Sequence, residues 1–312
     1  MKIVVLDAET LGSDIDFSGF EQLGEFVVYP RSTPEEAALR VRDADIILVN
    51  KVSMNERTLK EAEKVKLICN TATGINNLDV DYFEKRGISW RNVAGYSTES
   101  VTQHTFAILF YLLEKLRYYD DYVKSGEYIK SSSFTHLGLP FMELKDKTLG
   151  IIGLGTIGRR VAEVASAFGM KIIYASASGR PPQDGYEQVS LEELYERSDV
   201  ISVHAPLNQY TENLIDRESF ARMKNTYIFL NLGRGPIVVE EDLREALDQN
   251  QIAAAGLDVL RHEPMREDCP LWGFEDSSRL LITPHIGWAP LEARQRLMDM
   301  VLDQVKEFIN CG

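Results

Sequence analysis

Residues 153–158 read Gly-Leu-Gly-Thr-Ile-Gly, and no other stretch limits the fold of this chain as tightly. The apolar run 147–152 precedes it and the helix-like run 161–169 follows. The spacing G-x-G-x-x-G has a mechanism only when a strand enters it and a helix leaves it. Gly153 then permits the tight turn. Gly155 lets the backbone approach a pyrophosphate, and Gly158 lets helix and strand pack closely. The phosphates meet the positive end of the helix. The motif in this setting predicts a dinucleotide grip.

The rest of the chain repeats the strand–helix alternation that such a grip needs. Short apolar, β-branched runs occur at 2–7, 45–50, 65–70 and 88–93. Helix signals lie between them. Thr33-Pro34-Glu35-Glu36 combines an N-cap, a first-turn proline and a capping-box glutamate. Asp79 opens another helix and Gly87 closes it. A second series of strand candidates runs at 148–153, 171–176, 199–205, 226–232, 254–259 and 280–285, with a capping box at Ser190 and Glu193. Alternation of this kind implies parallel sheets built from βαβ units, with strands buried on both faces. Two long helical patterns, 98–119 and 291–309, flank the second series. The expected organisation is two doubly wound α/β domains: a Rossmann nucleotide domain, 99–287, inserted into a smaller flavodoxin-like substrate domain, 1–98 plus 288–312. Ligands of such sheets bind beyond the carboxyl ends of the strands, so the interdomain cleft is the expected site.

Composition closes off several other classes. A net charge of -14 argues against a nucleic-acid partner. The apolar start of the chain is too short for a signal peptide, and no run approaches a membrane span. Three cysteines, 69, 269 and 311, show no C-x-x-C spacing, so neither a disulfide framework nor a zinc site is expected. Cys69 reads as a core residue, and the expected compartment is the cytoplasm.

About twenty residues past the glycines, at the end of the second strand, an acidic residue would bond the ribose 2′-hydroxyl of NAD. Ser176 stands there instead, with Arg180 four residues on. A serine and an arginine admit a 2′-phosphate, so NAD(H) and NADP(H) both remain open. Arg180 is either a phosphate ligand or a solvated loop residue. Three later stretches place reactive side chains after predicted strands: Arg234 in NLGRGPIVVEEDL, Asp258 and Glu263 in GLDVLRHEP, and His285 in TPHIGWAP.

Together with GLGTIG these stretches resemble the D-isomer-specific 2-hydroxyacid dehydrogenases over essentially the whole chain. The stretches 71–79, 96–110 and 287–299 look most like the glycerate dehydrogenases, or hydroxypyruvate reductases. The resemblance implies a catalytic trio of Arg234, Glu263 and His285. Arg234 would hold the carboxylate of a 2-oxo acid and polarise its ketone. His285 would be the general acid. Glu263 would bond the far ring nitrogen, its negative charge favouring the imidazolium.

The resemblance also implies a substrate anchor at Thr73, Gly74 and Ile75, with Lys51 and Trp288 as further candidates; Lys51 reads equally as solvated, and Trp288 as core or interface. Implied cofactor contacts are Gly153, Gly155, Thr156, Ile157, Gly158, Ser176, Arg180, Ala205, Pro206, Leu207, Thr211, Leu232, Gly233, Arg234, Asp258, His285, Gly287 and Thr102. Asp258 would bond the nicotinamide amide. The other histidines, 104, 136, 204 and 262, read as structural. The expected activity is reduction of hydroxypyruvate or glyoxylate. The rivals are a D-lactate or branched 2-oxo acid dehydrogenase and a nucleotide-sensing corepressor-type protein. Family members usually dimerise through the nucleotide domain, and 98–145 is the candidate arm.

Overall fold

The computed structural model describes residues 1–311 other than Arg180, Gln183, Asp184 and Thr226. The chain divides into two compact units, Met1–Ser97 with Trp288–Gly312 and Thr98–Gly287. In the first, strands β1 (Lys2–Val5), β2 (Glu25–Val28), β3 (Ile46–Val49), β4 (Leu67–Asn70) and β5 (Ser89–Arg91) form one sheet in the order β2-β1-β3-β4-β5. Every pairing is parallel. This is the 2-1-3-4-5 order of a doubly wound sheet.

Side chains along these strands alternate between two cores. Ile3, Val5, Ile46, Leu48, Leu67 and Cys69 pack with Leu297, Val301 and Val305 of the helix Leu291–Cys311. Val4, Ile47, Val49 and Ile68 pack on the other face with Ala37, Val41, Leu59 and Phe83. The C-terminal helix therefore belongs to the first unit. The capping signals are realised. Thr33 and Glu36 bond each other's backbone N–H. Asp79 accepts the Tyr82 N–H, and Gly87 ends that helix at φ 66°.

The second unit holds β6 (Thr148–Ile152), β7 (Lys171–Ala175), β8 (Glu187–Gln188), β9 (Val200–Val203), β10 (Ile228–Asn231), β11 (Ala254–Leu257) and β12 (Leu280–Ile282). They pair in parallel in the order β12-β11-β10-β9-β6-β7-β8. Counted from β6 this is the Rossmann order 3-2-1-4-5-6 with one more strand at the end. The six strands expected include β12 but not β8, a two-residue polar strand at the opposite edge of the sheet. The single helix expected over 98–119 is two, Thr98–Leu113 and Leu116–Lys124. Lys115 breaks it at φ 53°, a left-handed conformation that interrupts the ladder without interrupting the hydrophobic pattern.

The glycine turn shows why the helix after β6 starts where it does. Gly153 has φ 95°, and a Cβ there would lie 2.8 Å from the backbone of Ala205. A Cβ on Gly158 would lie 2.2 Å from the Gly153 carbonyl oxygen. Replacing Gly158 with Val should push helix and strand apart and destabilise the protein by about 1–3 kcal/mol. Urea denaturation measures this, and an unchanged midpoint contradicts the packing.

Candidate active site

The candidate dinucleotide grip lies at the ends of β6, β9 and β10. Gly155 is the N-cap of the helix Thr156–Ala167, and no side chain caps it. A Cβ on Gly155 would meet nothing within 4 Å. The start of the helix lies at a pocket of about 500 Å³ whose lining includes Gly155, Thr156, Arg159 and Arg160. An uncapped helix start without side-chain obstruction fits a pyrophosphate. Ile157 is half-buried in the same turn. A Cβ on Gly233 would come within 2.8 Å of the Ala205 carbonyl oxygen, so the ends of β9 and β10 touch. Ala205 and Leu232 are buried, Leu207 is half-buried and Pro206 is exposed. The Thr211 hydroxyl donates to the Pro206 carbonyl at 2.7 Å and accepts the Asn208 N–H at 2.8 Å, pinning that turn. Ser176 follows β7 directly. Arg180 lies outside the described residues. Thr102 is buried and spends its hydroxyl on the Thr98 carbonyl.

Arg234, Glu263 and His285 follow three adjacent parallel strands, β10, β11 and β12. Arg234 Nη1 donates to the Gly233 carbonyl at 2.8 Å. No carboxylate among the described residues pairs with this guanidinium. Next to it, Gly235 abuts the backbone of Leu260 and Arg261 so closely that a Cβ there would overlap them at 1.9 Å and 2.4 Å. The same Leu260 donates its N–H to Glu263 Oε1 at 3.0 Å. Glu263 Oε2 meets His285 Nδ1 at 2.8 Å. One chain of contacts thus links Arg234 to His285. With Nδ1 bonded to a carboxylate, Nε2 is the ring atom left for proton transfer.

Asp258 shapes the loop that carries His285. It is 4% exposed. Its Oδ1 accepts the Thr283 hydroxyl at 2.6 Å and the Ile286 N–H at 2.9 Å, and Oδ2 accepts the Gly287 N–H at 2.8 Å. His104 Nε2 lies 3.2 Å from Oδ1 and 3.0 Å from the Thr283 hydroxyl. The carbonyl of Asp258 accepts the His285 N–H at 2.9 Å. His285 itself sits at φ 55°, unusual for a residue with a side chain. Burial pushes the Asp258 carboxyl up, but the bonds from His104, Thr283, Gly287 and Ile286 outweigh it. The group stays below its ordinary range. His204 is the opposite case. Burial alone pushes its imidazole down to about 4. It is therefore neutral at pH 7 and unsuited to donate a proton.

The first unit contributes its own candidates. After β4, none of the backbone N–H groups of Thr73, Gly74 and Ile75 donates to another group among the described residues. The loop is braced instead through its oxygens. Asn92 Nδ2 bonds the Thr73 carbonyl at 2.7 Å and Asn70 Nδ2 bonds the Gly74 carbonyl at 2.6 Å. Successive unspent N–H groups form an anion-binding concavity. Lys51 is exposed and lines a separate pocket with Asp7, Arg31 and Ser53. Trp288 packs against the core that holds the C-terminal helix. Among the described residues no cluster of metal ligands occurs, and no helix is long and apolar enough to cross a membrane.

The pattern of the D-isomer specific 2-hydroxyacid dehydrogenase NAD-binding domain matches residues 106–287. The hydroxypyruvate reductase of Blautia hydrogenotrophica is 39% identical, over 99% of this chain and 97% of its own length. The chain belongs to the D-isomer-specific 2-hydroxyacid dehydrogenase family. The glycerate dehydrogenase of Methylorubrum extorquens is 36% identical over 99% of this chain and 96% of its own. A solved D-lactate dehydrogenase of Aquifex aeolicus, complexed with NAD and lactic acid, superposes with a TM-score of 0.86 at 28% identity, covering 99% of this chain and 96% of the other. As a member of this family the chain is an oxidoreductase of 2-hydroxy acids that uses a nicotinamide dinucleotide.

Motif reading did not bring in His104 or Thr283. Thr283 stands two residues before His285 and had a local signal. His104 is placed only by how a helix lies on the sheet. Asp258→Asn should cost about 1–3 kcal/mol at pH 7, because an amide turns one acceptor into a donor facing an N–H. A depressed carboxyl stabilises above its unfolded value and loses that contribution as pH falls through its folded one. The gap between wild type and variant should therefore close below about pH 4. Urea melts at a series of pH values test this; a gap constant down to pH 3 contradicts it.

Proposed function

We propose that the protein reduces hydroxypyruvate, and glyoxylate as a second substrate, to D-glycerate and glycolate. The observation that carries this reading is the arrangement after β10–β12: an arginine with no carboxylate partner among the described residues, and a histidine held by a glutamate. A 2-oxo acid presents a carboxylate next to a ketone. The Arg234 guanidinium matches both, donating a planar fork to the carboxylate and a further N–H to the ketone oxygen. When bound, the nicotinamide supplies the hydride that reduces the ketone carbon. His285 Nε2 gives its proton to the ketone oxygen, and takes it back in the oxidative direction. Glu263 keeps the other proton on Nδ1 and fixes the ring.

The N–H groups of Thr73, Gly74 and Ile75 form the second anchor for the substrate carboxylate. Asp258 accepts the nicotinamide amide through Oδ2, which takes one donor where Oδ1 takes several. Ser176 puts no negative charge at the adenosine ribose, so NADPH serves beside NADH. The glycerate dehydrogenase and hydroxypyruvate reductase likenesses support a small, polar substrate.

A panel of 2-oxo acids, each assayed with NADH and NADPH, tests the reading. Hydroxypyruvate should give the highest kcat/KM, above pyruvate and 2-oxoisocaproate. A preference for pyruvate would make the protein a D-lactate dehydrogenase, and cofactor binding without turnover a sensor. Arg234→Ala should lower kcat/KM by about 10²–10³-fold while sparing cofactor affinity. His285→Asn should cost about 10²–10⁴-fold. Unchanged turnover in either variant removes the mechanism.

The segment 98–145 supports a homodimer. His136 stacks on Tyr122 at 3.8 Å and bonds the Tyr118 hydroxyl at 2.8 Å, which fixes the segment. Ile129, Phe134 and Leu137 nevertheless remain 89%, 91% and 85% exposed. Large apolar side chains exposed along one segment fit an interaction surface, and a second copy is the proposed cover. Sedimentation should give twice the mass of the chain, and Phe134→Asp should shift it toward monomer; a monomeric wild type contradicts this.

A further inference from the structure

We infer that His104 is a positioning residue for His285, acting through Asp258. The inference rests on the reading of His285 as general acid. It starts from a packing detail. A Cβ on Gly256 of β11 would lie 2.2 Å from Ile108 Cγ2, so the bare glycine lets the helix Thr98–Leu113 settle closely on the sheet. One helical turn back from Ile108 is His104, about 6 Å away along the helix. Two residues on from Gly256 is Asp258, about 6.6 Å along the strand. Close approach at one pair therefore sets the other pair together, and Nε2 lies 3.2 Å from Oδ1.

Three consecutive N–H groups, of His285, Ile286 and Gly287, all donate to Asp258: the first to its carbonyl, the others to its carboxylate. This single residue holds the backbone on both sides of a left-handed histidine. A buried carboxylate needs compensation to stay charged. Among the described residues its side-chain partners are Thr283 and His104. Thr283 already donates its hydroxyl proton to Oδ1. Its remaining lone pair then accepts from His104, which requires the proton on Nε2. Gly287 completes the fit. A Cβ there would lie 2.9 Å from Oδ2 and 3.3 Å from the His104 ring. Without His104 the carboxylate loses a donor and the His285 loop loses its reference point. Misplacing a catalytic group by about 1 Å is enough to cost on the order of 10²-fold in rate.

The test compares wild type, His104→Ala and His104→Gln as full-length proteins, by amide hydrogen exchange and by steady-state kinetics on hydroxypyruvate. Gln retains a side-chain N–H that can reach the same acceptors. In His104→Ala the Ile286 and Gly287 amides should exchange about tenfold faster or more, with amides elsewhere in the unit unchanged. The same variant should lose about tenfold or more in kcat, with KM for hydroxypyruvate little altered. His104→Gln should restore both. Unchanged exchange at Ile286 and Gly287 overturns the inference. So does a loss of protection spread evenly through the unit, or a folded Gln variant as impaired as Ala. The expected exchange pattern in a protein that turns over no 2-oxo acid keeps the positioning of the loop and refutes the proposed function instead.

Discussion

Parallel pairing of β10, β11 and β12 is the constraint on which the site of the second unit depends. Neighbouring strands lie about 4.8 Å apart, and in a parallel sheet their carboxyl ends fall on one edge. Residues far apart in sequence are thereby delivered within side-chain reach. Arg234, Asp258 with Glu263, and His285 each leave one of these ends. The loops are then held by bonds rather than by bulk. Glu263 is fixed at Oε1 by the Leu260 N–H before its Oε2 meets His285. The orientation of the histidine ring is a property of the sheet passed on through two hydrogen bonds.

The charges of this edge are sorted by what each is left to do. Asp258 is buried, and most of its charge is spent on the protein's own N–H and O–H donors. Glu263 shares its charge between a backbone amide and an imidazole. Arg234 carries a charge with no carboxylate partner among the described residues. Half-buried and left so, this arginine gains a carboxylate partner when an anionic substrate arrives. His204, on the neighbouring strand end, is kept neutral by burial and adds no competing cation.

Much of this was legible in the sequence because its signals are local. The glycine turn, the capping boxes at Thr33 and Ser190, and the left-handed Gly87 each report the conformation of their own few residues. Continuous apolar, β-branched runs mark the central strands, whose residues are wholly enclosed. The edge strands β2 and β8 were not separable, since exposed ends and a two-residue length leave no hydrophobic period. The break at Lys115 was hidden because the apolar pattern runs on through it. The role of His104 is hidden from the sequence for a deeper reason. Its partner is chosen by the register of a helix on a strand, and that register is written at Gly256 and Ile108, residues without any chemistry of their own.

The net charge of -14 sharpens the question of how such a chain would hold anions. Surface potential cannot gather them, but fields from exposed charges fade over a Debye length of about 8 Å at physiological salt. Within that range hydrogen bonding decides. The places suited to an anion use short-range donors: uncapped N–H groups after Gly155, unspent N–H groups at Thr73, Gly74 and Ile75, and one guanidinium. Backbone donors cannot be titrated and carry little entropy to lose, so they keep working beneath an acidic surface. Their directionality selects a planar carboxylate or a phosphate over a diffuse charge, which a cluster of lysines would not do. An acidic protein with anionic ligands is therefore consistent only if the glycines and strand ends are in place first, because they are what exposes those N–H groups.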